Sequence, residues 1–253
     1  DGDMASAEAA CERMLSEAWR QKDEWVFTSE PLNETIANAK QLTEGPVILL
    51  DHADNSASGG TQDTMAVLKE VIDQGLEDVA MFGIFDPAAV TQMEAAGVGR
   101  DVTIDLGGKR DMPEIGMPRE PLRVSGKVRA ITDGDFVITV PMGRGTKTSM
   151  GKTAVLDTGQ VQIVICSNHT EPYDLGCFRS VGIEPTAKRY LILKSRIHYR
   201  AGFRDIARHE IPCNGVGVTS SDNSLFTFKN IRRPIYPLDP ECPERPNYEI
   251  PPV

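Results

Sequence analysis

No apolar run in this 253-residue sequence approaches the roughly 20 residues that a membrane-spanning helix needs. No secretory leader pattern is visible either. A membrane partner is therefore not expected. Paired cysteines are also missing. Cys11, Cys166, Cys177, Cys213 and Cys242 form an odd, scattered set, which makes a poor disulfide framework and a poor zinc ribbon. Reduced thiols and a cytoplasmic location are the expectation. Positive charge is in deficit: 27 Lys and Arg against 37 Asp and Glu leave a formal net charge of -10. Such a surface argues against nucleic acid as a partner, although a local basic pocket remains compatible with it. His-Glu-x-x-His, Cys-x-x-Cys and Gly-x-Ser-x-Gly are all lacking, and the four histidines lie far apart. No complete metal site is expected within this chain. There is no internal repeat.

What is present is a regular alternation of elements. The length suffices for one large domain with its own core. Asp1-Gly2-Asp3 leads straight into a helical pattern that runs to about residue 27, capped by Asp3. So abrupt a start suggests a cut at a domain boundary, with residues 1–44 as a helical lead-in, 45–239 as an α/β domain and 240–253 as an extended tail. Ser29 before Glu30-Pro31 reads as the start of a second helix over 32–43. A strand at 47–50, a helix at 62–74, a strand at 79–85, a helix from Asp86-Pro87 to Gly97 and a strand at 102–106 predict a parallel α/β unit. The grammar then changes to short strands at 122–132, 136–140, 154–157 and 161–166, with Asp133-Gly134-Asp135 and Asp157-Thr158-Gly159 as tight turns. This is an inserted antiparallel section. A helix near 175–181, a strand at 190–195 and a helix at 199–208 follow, with His209 near that helix's end. The proline-rich residues from Arg233 read as an extended C-terminal arm.

The richest polar feature is the loop from Asp51 to Thr61, which follows a strand. Loops at the carboxyl ends of parallel strands are the usual ligand position in open α/β sheets. Asp51, His52 and Asp54 carry acid–base or metal-binding chemistry, and Gly59 and Gly60 allow close backbone approach. The plain alternative is a loop in which Asp54 and Asn55 make side-chain turns and cap the next helix. His169 lies in a second strand-end loop, where a capped helix start is the simpler reading. Lys194, His198 and Arg200 follow a third strand; they would suit a substrate carboxylate or, equally, surface ion pairs. The segment Met142 to Thr153 ends in Gly151-Lys152-Thr153 and imitates a nucleotide phosphate loop. Counted back from Gly151, the position that should be glycine is Thr146, and a strand rather than a helix should follow. A hairpin loop is the better reading.

Several segments, in order, resemble the C-terminal domain of the MlrC family. They are Asp51-His52-Ala53-Asp54-Asn55 with Gly59-Gly60, Asp86-Pro87-Ala88-Ala89-Val90, Leu106-Gly107-Gly108-Lys109, Pro141-Met142-Gly143-Arg144-Gly145, residues 167–174, Leu193-Lys194-Ser195 with His198-Tyr199-Arg200-Ala201, and 232–239. The resemblance implies a zinc-dependent metallopeptidase or amide hydrolase. The family's namesake degrades linearised microcystin and related peptides. It also implies that most metal ligands lie in an N-terminal domain, the partner of this one. The C-terminal domain then covers the active site, with Asp54 and Asn55 reaching towards it in a catalytic role. Asp51, Gly59, Gly60, His169, Lys194, His198 and Arg200 become substrate-binding candidates for a peptide or small amide. Zinc is expected in the full-length protein and not in this chain, which alone is expected to be inactive. The first helix looks like the end of the preceding family domain. Ser56-Ala57-Ser58 departs from the more glycine-rich family loop, which carries a proline after the asparagine. A homodimer is compatible with the sequence. The competing reading is a non-catalytic module that binds a small anion or serves assembly.

Overall fold

A computed structural model describes residues 2–28 and 30–243. The expected helix start at Ser29 and the tail beyond residue 243 lie outside the described residues. The chain divides into two compact units, Asp1–Thr28 with Ser221–Val253 and Ser29–Ser220.

In the first unit, helix α1 (Met4–Arg20) starts where Asp3 accepts the Ser6 backbone N–H at 3.1 Å. It stops short of the expected residue 27, giving way to a 3-10 turn at Lys22–Trp25. None of its residues is buried. Trp19 packs edge-on against Tyr236 with ring centroids 6.1 Å apart, and the Tyr236 hydroxyl donates to Asp23 at 2.6 Å. Arg233 pairs with Asp239, and the Asp239 N–H donates to the Ile235 carbonyl, so residues 233–239 close into turns.

The second unit is an α/β fold, as expected. In chain order it holds α2 (Leu32–Gln41), β1 (Val47–Asp51), α3 (Ala66–Asp73), β2 (Val79–Phe85), α4 (Pro87–Ala96), β3 (Asp101–Leu106), β4 (Leu122–Thr132), β5 (Asp135–Val137), β6 (Lys147–Ser149), β7 (Thr153–Asp157), β8 (Val161–Cys166), α5 (Gly176–Arg179), β9 (Tyr190–Leu193), α6 (Arg200–Phe203) and β10 (His209–Cys213). Eight strands form one sheet in the order β10-β1-β9-β2-β8-β7-β4-β3. The first five run parallel; β7, β4 and β3 continue antiparallel. Alternate residues of each strand face opposite sides. Leu49, Met81, Ile163 and Ile192 therefore pack in a cluster with Ile36, Leu68 and Val90 of α2, α3 and α4. Ile48, Phe82, Val164 and Leu191 pack in a second cluster with Phe178 of α5 and Phe203 of α6.

Several sequence expectations are corrected. The strand β3 is not the third member of a parallel unit: it pairs only with β4, antiparallel, at the sheet edge. Nor do β1 and β2 touch, because β9 lies between them. The turn at Asp133-Gly134 does not join neighbouring strands. It moves the chain out of the main sheet into the separate β5–β6 ribbon, which ends at Val137 rather than 140. The turn after Asp157 is a true hairpin between β7 and β8, and the glycine-rich segment does lie across the β5–β6 hairpin and lead into strand β7. Helix α3 begins at Ala66, not 62, because Gln62 takes a left-handed backbone (φ +58°) that no right-handed helix accommodates, with its N–H and that of Thr64 held by Asp54. The helix expected over 199–208 is a single turn, and His209 opens the edge strand β10 rather than ending a helix. Pro212 is tolerated there because an edge strand can spare an N–H.

Candidate functional site

All five parallel strands point their carboxyl ends to the same side, so the loops that follow them converge. The loop after β1 folds as two short 3-10 turns, His52–Asp54 and Ser56–Ser58. At its centre is a buried ionic hub. The Lys194 ammonium, at the end of β9 and wholly buried, lies 2.7 Å from Asp51 Oδ2 and 2.8 Å from Asp54 Oδ2. It also donates to the Thr64 carbonyl at 2.7 Å and the Thr64 hydroxyl at 2.9 Å. Asp54 is saturated: besides Lys194 it accepts from the N–H groups of Gln62 and Thr64 and from the hydroxyls of Thr61 and Thr64, at 2.7 to 3.1 Å.

Two carboxylates and one ammonium leave the hub one negative charge in excess, and burial decides where it is relieved. Burial pushes the Asp51 carboxyl up, and Lys194 offsets this only in part. Burial pushes Asp54 up too, but Lys194 and the backbone N–H groups of Thr64 and Gln62 outweigh it and hold Asp54 below its ordinary value. Lys194 is pulled down by burial and held up, on balance, by its two carboxylates. Asp51 Oδ1 has no hydrogen-bond partner among the described residues. Asp51 is thus the member that takes up a proton first.

Around this hub the loops are stitched to one another. Gln62 exchanges two hydrogen bonds with the backbone of Thr170, tying the β1 loop to the β8 loop at 2.8 and 3.1 Å. Glu171 accepts from Ser195 Oγ, from Ser56 Oγ at 3.2 Å and from the Ala57 N–H at 3.1 Å, which joins three loops. The Thr219 hydroxyl donates to the Ala53 carbonyl at 2.7 Å and accepts from the Asn55 N–H at 3.0 Å, adding the loop after β10. This approach requires Gly217, whose Cβ would stand 2.1 Å from the Ala53 oxygen. Gly60 is equally constrained, since a Cβ there would meet the Asp54 and Asn55 backbone at 2.7 to 2.9 Å. Gly59 closes the second 3-10 turn at φ +91°.

The residues singled out in the sequence separate into an inner and an outer set. Asp51, Asp54 and Lys194 are brought together, and Asn55 is buried beside them with its side chain engaged by Ala57 and Ser58. His52 is buried; burial, then Arg196, hold its imidazole down to about 4, against the backbone of Cys213. His169 is exposed and stacks on Phe85 with centroids 3.8 Å apart. Burial of part of its ring and the charge of Arg110 lower its pKa. His198 is exposed, 3.8 Å from Glu171. Arg200 turns away to Tyr199 and Glu210. Lys194, His198 and Arg200 therefore do not share one pocket. The sequence reading missed Thr64, Gln62, Glu171 and Thr219, which hold the loops. The pair of glycines in Asn214-Gly215-Val216-Gly217 was the one local signal for the last of them.

Among the described residues no group of three or more His, Cys, Asp or Glu could hold a metal ion. The two buried aspartates are engaged by a lysine instead, so the donor set does not fit zinc.

The comparisons with known proteins agree with this architecture. A family model for the MlrC C-terminus matches residues 49–230. Microcystinase C of a Sphingomonas species is 31% identical over 205 residues, covering 81% of this chain and 38% of that protein. The chain thus spans well under half the length of that curated relative. A crystal structure assigned to a metallopeptidase of Mesorhizobium sp. BNC1 superposes with a TM-score of 0.73 at 24% identity, over 88% of this chain and 43% of that one. That likeness is one of fold. With a family match across most of its length, laid over the strand-end loops just described, this chain belongs to the MlrC C-terminus family.

Proposed function

We propose that the chain is the C-terminal domain of a zinc-dependent metallopeptidase-like amide hydrolase and covers an active site whose metal ligands lie in another domain of the same protein. The observation that carries this reading is the combination of family membership with partial coverage: the chain corresponds to 38% of Microcystinase C. The residues here supply scaffolding rather than metal ligands. Lys194, itself paired with Asp51, holds Asp54, and Asp54 shapes the loop so that its tip at Ala57, Ser58 and Gly59 is exposed to the partner domain. His169 and His198, exposed on the loops after β8 and β9, are the polar groups that face substrate. The substrate class is a linear peptide or small amide, and the location is cytoplasmic.

The test uses this chain alone and the same chain joined to, or mixed with, its metal-binding domain. The combined protein is expected to carry zinc and hydrolyse linear peptides. The chain alone is expected to do neither. One tightly bound zinc per isolated chain, or a zinc-loaded complex inert towards all peptide amides, would overturn the proposal.

A further inference from the structure

Beside the hub lies a cavity of about 350 Å³, within the range of small-molecule sites. Its lining is mainly apolar: Met65, Met112, Met117, Leu122, Leu32 and Val216. The wall is built, not draped. The Gly108 N–H donates to the Asp63 carbonyl at 2.5 Å and the Lys109 N–H to its carboxylate at 3.0 Å. Met112 and Met117 exchange backbone hydrogen bonds at 2.8 and 3.0 Å, closing the loop that carries both thioethers. Unbranched thioether side chains adapt to varied apolar shapes.

The charges at the rim are asymmetric. Lys69 is held by Asp73 and lies in the field of Glu70 and Glu120, so that edge is acidic. Lys109 is committed to Asp86 at 2.6 Å. Arg110 also lines the cavity, with its guanidinium 5.9 Å over the Phe85 ring. It makes no ion pair among the described residues. A guanidinium without an ion pair beside a methionine-lined cavity is complementary to a ligand with an apolar body and an anionic head. Of the two lining cations Lys69 is paired with Asp73, which leaves Arg110 to take the head of such a ligand. Asp63 and Thr64 line the cavity, and Thr64 also grips Lys194, which puts the cavity one residue from the hub.

We infer that this cavity binds an apolar carboxylate, presented as the C-terminal residue of a peptide with a bulky aliphatic side chain. The peptide source rests on the hydrolase reading; the carboxylate binding does not. The test is calorimetric titration of the whole chain with N-acetyl-leucine, N-acetyl-leucinamide, N-acetyl-glycine and decanoate. N-acetyl-leucine is expected to bind saturably, and the amide and the glycine compound each about tenfold more weakly, as befits loss of a charged hydrogen bond or of the apolar body. Arg110→Gln should weaken N-acetyl-leucine by about the same factor and leave the amide unchanged, with Arg110→Lys restoring part of the loss. Met117→Trp, which fills the cavity, should weaken every ligand. Equal binding of acid and amide, indifference to Arg110→Gln, or no saturation by any of the four overturns the inference. Decanoate binding more tightly than N-acetyl-leucine, with the same dependence on Arg110, overturns the peptide source and keeps the carboxylate. Failure of peptide hydrolysis with this binding intact sinks the enzyme reading alone.

Discussion

The two halves of the eight-stranded sheet treat charge in opposite ways. In the parallel half, β1, β2, β8 and β9 are almost wholly buried, and their charges sit at the strand ends, out of water: the Lys194 and Asp51 side chains are 0% and 1% exposed. In the antiparallel half, β3 and β4 turn one face to solvent, and charges pair directly across the strands. Asp101 faces Lys127 and Asp105 faces Arg123, each at 3.2 Å, with the Thr103 and Ser125 hydroxyls 2.8 Å apart between them. Exposed pairs of that kind contribute little stability, and they blunt an edge that would otherwise recruit another strand. The hub is different. Its charges have surrendered their water, so removing one partner leaves the others stranded.

That contrast can be broken or sharpened in four ways. The largest effect is expected from Lys194→Met, which strands two carboxylates and should cost about 3–5 kcal/mol in urea unfolding at neutral pH. Without the ammonium both carboxyls favour protonation, so the deficit should shrink as the pH falls towards 4; a deficit independent of pH would break the account. Next comes the pair of aspartates. Asp54→Asn disturbs five donors and should cost about 2–3 kcal/mol, whereas Asp51→Asn leaves a balanced Lys194–Asp54 pair and should cost less than about 1 kcal/mol. Equal losses would refute the division of labour between them.

A third effect concerns pH alone. His52 is neutral in the fold, with a pKa of about 4, and protonates more readily when unfolded. Between about 6.5 and 4 the unfolded chain binds more protons, so stability is full above that window and declines as the pH falls through it. Asp51, raised in the fold, acts in the opposite direction at the acid end. His52→Gln should flatten the decline in thermal melts across that window. The smallest effect is Lys127→Glu, opposite Asp101. It should cost less than about 1 kcal/mol, and high salt should erase the difference.

The parallel half was the more legible in the sequence in its elements and the less so in its connections. Val47-Ile48-Leu49-Leu50 announces a buried strand, and the Asp51–Thr61 loop stands out as a polar strand end. The partner of Asp51 and Asp54, however, lies 143 and 140 residues away at Lys194, and nothing local joins them. Strand direction is equally silent. The alternation in β3 tells that one face is wet, but not that the strand runs against β2. β10 escaped notice because its proline and its half-exposed pattern suit an edge that only the finished sheet defines. Glu171 and Gln62 look like ordinary loop residues until the loops they bridge are in place.

The position of β9 has a consequence for how the molecule is made. β1 and β2 precede β9 in the chain and do not pair with each other; the slot between them stays open until Tyr190–Leu193 arrives. The β3–β4 and β7–β8 pairings, by contrast, close over short stretches of chain. Loop closure over long separations is slow. By that criterion the antiparallel edge pairs early, and the long-range β1–β9 and β1–β10 pairings close late, the first of them carrying Lys194 to its two carboxylates. The ionic hub thus belongs with the late, long-range contacts of the sheet, a latch closed near the end together with the β1–β10 edge.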